Sequence, residues 1–187
     1  MNINYKKSAK LILLFISTLL IASASAAVYY TIIMQPKVTI TSAVIQFDEG
    51  NDWPSTSTMG TNATWVRLDL KAYPNATLIY DAPLNMSNTD SSSHTFRLRH
   101  VSITPASGSA SVSNFTFINL VVKSATGVAQ ASFNYTTSGD TWSTPSTTSY
   151  MTLPANTEWI IYVETKATAG ASGSIVANIQ IAIDVQE

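Results

Sequence analysis

Hydrophobic and polar residues alternate with a period of two along most of the chain, which predicts half-buried β-strands. In the C-terminal segment Ile175, Ala177, Ile179, Ile181, Ile183 and Val185 fall on one side, with Asn178, Gln180, Asp184 and Gln186 among those opposite. Val66, Leu68 and Leu70 share a face across from Arg67, Asp69 and Lys71. Phe96 and Leu98 alternate with Arg97 and Arg99; the phase then slips to Val101 and Ile103, which predicts a β-bulge. Phe115 and Phe117 open a strand running into Leu120 to Val122, "VAQASFNY" follows the turn "SATG", and "EWIIYVET" is a further strand. The stretches "DEGNDWPSTSTMG", "YPNA", "NTDSSS", "TPASGSA", "TSGDTWSTPSTT" and "TAGASG" read as turns. No segment after Met34 carries a helical period. Roughly nine strands at this spacing predict an all-β fold, a two-sheet sandwich or jelly roll.

The N-terminus follows another pattern. Lys6, Lys7 and Lys10 precede the apolar run Leu11 to Ala22, and "ASASAA" then offers small-residue cleavage sites. These are the three parts of a secretory signal peptide, assigned to residues 1–26. Two rivals use the same stretch. Leu11 to Met34 is long enough for an uncleaved anchor, and a type IV pilin-like subunit would retain it as a helix after a cut near Lys7. The serines and Thr18 dilute the apolar run, and "VYYTII" is β-branched and aromatic, which favours a strand.

That strand follows the leader directly. Val28, Tyr30, Ile32 and Met34 form one apolar face, and Tyr29, Thr31 and Ile33 the other, half-polar one. Pro36 removes a ladder donor and hinges the strand from "KVTITSAVIQF". A hinged terminal strand can lie in its own sheet or be added to a neighbour's. The second contact is head-to-tail and, unclosed, builds a filament. Residues 27–36 are therefore assigned as a donor strand and hinge, and residues 37–187 as the sandwich domain.

Composition narrows the setting. Of the 187 residues 11% are charged, the net charge is −1 and there is no cysteine. That balance gives no electrostatic basis for nucleic-acid binding. A neutral surface rich in Ser, Thr and Asn suits an exported chain solubilised by sugars, and without disulfides its stability must come from packing, glycans or assembly. Five sequons begin at Asn62, Asn75, Asn85, Asn114 and Asn134. The first three fall in or beside expected loops and are the better glycan acceptors; Asn114 and Asn134 fall near expected strand ends.

The layout resembles that of TasA/camelysin-type fibre subunits and the related archaeal bundling pili and threads. "APLNMSNTDSSSHTFRLRHVSI" resembles the strand, Asn-rich turn and strand of such sandwiches, and "LPANTEWIIYVETKATAGASGSIVANIQIAIDV" resembles their closing strand pair. The aromatic-acidic stretch that follows cleavage in the bacterial members is absent. The resemblance implies an extracellular, cell-surface filament subunit serving adhesion or biofilm formation. Its partners would be other copies of itself and its N-linked glycans, with the membrane met only by the precursor. The alternative is a monomeric secreted or surface-layer-associated sandwich that binds carbohydrate or protein.

No catalytic constellation stands out, so an enzyme is not expected and no cofactor is called for. His94 and His100 are too few for a metal centre, which needs three or four ligands, and are expected at the surface. Asp48, Glu49 and Asp52 are expected to form an acidic turn rather than a Ca²⁺ loop. Trp53 and Trp142 fall in expected loops, Trp65 and Trp159 on strands; together they would make a sugar platform only if brought to one face.

Overall fold

The computed structural model describes residues 5–24, 43–105, 111–172 and 175–186. The chain divides into two units, Met1–Ile40 and Thr41–Glu187. In the first, the expected apolar leader forms helix α1, Tyr5–Ala24. Its side chains from Leu11 to Ile16 are exposed. Among the described residues no helix is long and apolar enough to cross a membrane. The expected strand Val28 to Met34, its hinge at Pro36, and the "KVTIT" segment lie outside the described residues.

The second unit is a sandwich of two antiparallel sheets, as the alternation predicts. One sheet contains β1 (Ile45–Glu49), β4 (Thr77–Asn88), β6 (Phe115–Lys123), β7 (Ala129–Ser138), β8 (Thr141–Ser143) and β10 (Thr157–Ala167), in the order β1-β4-β10-β6-β7-β8. The other contains β2 (Thr58–Met59), β3 (Trp65–Ala72), β5 (His94–Pro105), β9 (Met151–Leu153) and β11 (Ile175–Gln186), in the order β2-β3-β11-β5-β9. The described residues thus hold eleven strands rather than the roughly nine expected. The extra ones are the short edges β2, β8 and β9. β2 and β8 lie inside stretches expected as turns. Two or three residues carry no readable period.

The inner faces meet in one core. Ile179 of β11 stands between Leu68 of β3 and Ile103 of β5. In the opposite sheet Ile161 of β10 stands between Leu84 and Val122. Trp159 on β10 packs edge-on to Phe96 on β5, ring centroids 5.9 Å apart, and so ties the two layers. Buried Asn88 closes one end: its Nδ2 donates toward Leu153 O, Pro154 O and Ser92 O, and its Oδ1 accepts from Asp90 N. The "NTDSSS" turn is thereby fixed to the "LPAN" turn.

Two irregularities follow from sequence. The register of β5 on β11 shifts between Gln180 and Ile181, opposite Ser102 and His100, leaving Val101 as the expected bulge. On β4 the partners jump from Leu84 to Tyr80 opposite Ile161 and Val163. Pro83 sits in that irregularity, where a missing N–H costs no ladder bond.

Gly50 ends β1 against this irregularity. Its N–H donates to Pro83 O at 3.4 Å, and a Cβ there would lie 2.0 Å from Ala82 O. The obstacle is backbone, which cannot swing aside. We predict that Gly50→Ala lowers stability by about 1–3 kcal/mol; thermal unfolding of the two proteins checks this.

Candidate functional site

The two flanks of the sandwich treat their strand edges differently. An unpaired edge is a template for another strand unless something blunts it. On the flank of β3 and β4, side chains do so. Asp69 N donates to Ser57 Oγ at 2.9 Å, and Lys71 N donates to the Tyr80 hydroxyl at 3.0 Å. Thr165 Oγ1 donates to Lys71 O at 2.5 Å. Asp52 Oδ2 accepts from Asp81 N at 2.7 Å and Ala82 N at 3.3 Å, and Asp52 N donates to Ala82 O at 3.0 Å.

On the flank of β5 and β7 the described residues supply one such device, at Leu98. β9 pairs only with His94 to Phe96. Thr148 then caps Leu98, accepting from its N–H and donating to its carbonyl. Beyond that, the side of β5 away from β11 has no described partner from Arg99 to Pro105. In the other sheet β8 pairs only with Thr136 to Ser138 of β7, leaving Ala129 to Tyr135 without a described partner on that side. Val101 and Val128 are exposed along this flank, and Ile103 is only partly buried. One contact bridges the sheets here: His100 Nδ1 lies 3.0 Å from the Tyr135 hydroxyl, with ring centroids 5.4 Å apart.

The histidines therefore correct the sequence expectation. Both share parity with Phe96 and Leu98 and face the inner side of β5, half-buried rather than on the open surface. His94 pairs with Asp90 at 2.7 Å and His100 with Tyr135, so the structure does not bring them to one site. Among the described residues no group of three or more His, Cys, Asp or Glu is placed to hold a metal ion. The acidic turn has structural partners instead. Asp48 accepts from Ser87 Oγ, and Asp52 caps β4.

The tryptophans do not form a platform. Trp159 is buried, Trp142 lies on β8 rather than in a loop and packs on Phe115 at 5.2 Å, Trp65 covers Gly60, and Trp53 lines a cleft. Two sequons are also placed differently. Asn85 lies inside β4, paired with Asp48 and Ile160, and its Oδ1 is buried without a described partner. Asn134 is exposed in the middle of β7 rather than near its end. Asn62 and Asn75 are exposed turn residues, Asn75 at φ 59°, and Asn114 ends a short 3-10 turn before β6.

Burial pushes the His100 imidazole below the ordinary 6.5, and burial also raises the Tyr135 hydroxyl. The unfolded chain then binds the proton at higher pH than the folded one. The stability contributed by neutral His100 is present above about pH 6.5 and declines as pH falls through that value toward the folded pKa. Denaturant unfolding from neutral to mildly acid pH should show this decline, and His100→Gln should flatten it. An unchanged pH profile in the variant would exclude the imidazole as its source.

No protein-family model and no curated protein matches the chain. Among solved structures, a carbohydrate-binding module of the β-sandwich superfamily, described as promiscuous in specificity, aligns at 11% identity with a TM-score of 0.21. The alignment covers 79% of this chain and 58% of that one, so the chain spans a little over half of that neighbour's length. A likeness at that level carries no weight in the functional reading.

Proposed function

We propose that the chain is a structural subunit of an extracellular filament, joined to the next copy by its N-terminal strand Val28 to Met34. The observation that carries this reading is the inequality of the flanks. The β3 and β4 edges are closed by Ser57, Tyr80, Thr165 and Asp52, whereas β5 from Arg99 to Pro105, paired with β11 on one side, has no described strand on the other. Val28 to Met34 and Arg99 to Pro105 are equal in length, and both carry apolar residues in alternation. Added to such an edge, the donor strand gains ladder bonds and inserts Val28, Tyr30, Ile32 and Met34. Burying one large apolar side chain is worth about 1.5–3 kcal/mol, so four supply about 6–12 kcal/mol per junction before ordering costs.

A monomeric binding module is the second reading, favoured by the cleft at Trp53. The two readings separate by assembly. Under the filament reading, Tyr30→Asp with Ile32→Asp puts two charges into a dry groove and abolishes filaments, while circular dichroism still reports a β-rich body. Val101→Lys at the acceptor edge gives the same outcome. Filaments that persist in a chain lacking Val28 to Met34, viewed by negative-stain microscopy, would defeat strand addition.

We further propose N-linked glycans as part of the mature surface. Exposure favours Asn62, Asn75 and Asn134, and the half-buried strand position disfavours Asn85. Glycopeptide mass spectrometry of exported protein should find sugar at one or more of the first three and bare Asn85. Peptides bare at every sequon would refute the glycan proposal.

A further inference from the structure

The blunted flank carries a cleft of about 380 Å³ between the 50–57 loop and the strands β3 and β4. This volume is in the usual range for small-molecule sites. Asp52, Trp53, Asp69, Lys71, Ile79 and Tyr80 supply its chemistry. The fold uses some of their hydrogen-bonding capacity and leaves the rest. Asp52 spends Oδ2 on Asp81 N and Ala82 N, and Asp69 spends Oδ1 on Asn178 Nδ2 and the Arg67 contact. Tyr80 accepts from Lys71 N, so its own O–H remains a donor. Among the described residues, Asp52 Oδ1, Asp69 Oδ2, the Tyr80 proton and the Lys71 ammonium have no partner.

We infer that this cleft binds a neutral sugar ring. The unspent groups mix acceptors, the two carboxylate oxygens, with donors, the ammonium and the phenol. A ligand matching both in a small space carries several hydroxyls, each donor and acceptor at once. Trp53, Tyr80 and Ile79 present apolar surface, and Ile79 is half-exposed. A pyranose has the complementary form, a C–H face for aromatic contact and a hydroxyl rim for polar groups. The carboxylates of Asp52 and Asp69 are balanced by the Lys71 ammonium and by the Arg67 guanidinium on Asp69, so the cleft favours neither a uronate or phosphate nor an amino sugar. The loop holding Trp53 is fixed by Trp53 N to Gly50 O at 3.2 Å and Ser57 N to Pro54 O at 2.8 Å, so the cleft is preformed. The inference rests on the cleft alone and not on strand addition; a monomer and a filament subunit would both carry it.

Saturation-transfer NMR with full-length protein tests it, because the signal is read on the ligand whatever the state of assembly. The probes are glucose, galactose, mannose and N-acetylglucosamine, with galacturonate and glucosamine as charged controls. At least one neutral sugar should receive saturation on its C–H face and outcompete both charged controls. Lys71→Met and Tyr80→Phe should each weaken its binding about tenfold, the effect of losing one hydrogen bond. Neither change removes core packing at Trp53, and a thermal melt confirms folding. The inference is overturned if no neutral sugar binds, if a charged control binds more tightly, or if both folded variants bind as the parent does. Loss of filaments in chains lacking Val28 to Met34, with sugar binding retained, would separate this result from the assembly reading.

Discussion

An open sheet has two edges, each presenting a row of backbone donors and acceptors that must meet protein, water or another chain. This two-sheet sandwich has four such edges, and the way each is handled organises the molecule. On one flank short side chains reach the edge: a serine and a tyrosine accept from β3 amides, a threonine donates to a β3 carbonyl, and a carboxylate accepts from two β4 amides. A net bond of this kind is worth only about 0.5–1.5 kcal/mol, and the amides of Lys71, Asp81 and Ala82 that make one lie at exposed positions. The devices therefore restrict pairing as much as they stabilise the body.

The same devices explain why cleft and edge occupy opposite flanks. Tyr80 reaches from β4 to Lys71 on β3 and becomes a wall of the cleft. Asp52, in capping β4, anchors the loop that carries Trp53. A closed edge thus provides fixed side chains around a small space. The opposite flank has only three-residue strands, β8 and β9, at its margins. Among the described residues β5 from Arg99 to Pro105 and β7 from Ala129 to Tyr135 have no strand on that side, an arrangement that suits another main chain rather than a small molecule.

Legibility in the sequence followed the length of each pattern. β11 was readable because its alternation runs the whole strand, with inward positions from Ile175 to Ile183 buried. The bulge at Val101 was readable because a period-two pattern cannot change phase without an extra residue. The turn at Asn75 was readable from "YPNA", since asparagine tolerates the positive φ found there. β2, β8 and β9 were not readable; their pairing is set by the strand beside them, not by their own residues. Asn85 was expected in or beside a loop, yet it lies on the outer face of β4 between β1 and β10, where polar residues are ordinary. The strand proposed to join subunits is read from its own alternation, with Val28, Tyr30, Ile32 and Met34 on one face.

The histidines carry a signal that a count of metal ligands passes over. Residues 94, 96, 98 and 100 share one parity, and Phe96 and Leu98 fix that parity as inward. An unpaired charge on that side would be costly. That cost applies only to the protonated form. His100 meets the Tyr135 hydroxyl, and burial holds the imidazole toward neutrality. Its place within the edge segment Arg99 to Pro105 gives it a second role. Inward residues here must close the gap between β5 and β7 without a full strand on either side, and an aliphatic pair would leave apolar surface facing water. An imidazole and a phenol bonded to each other close it with amphipathic rings, which have one apolar and one wet side. The interior behind β5 is thereby covered at this flank.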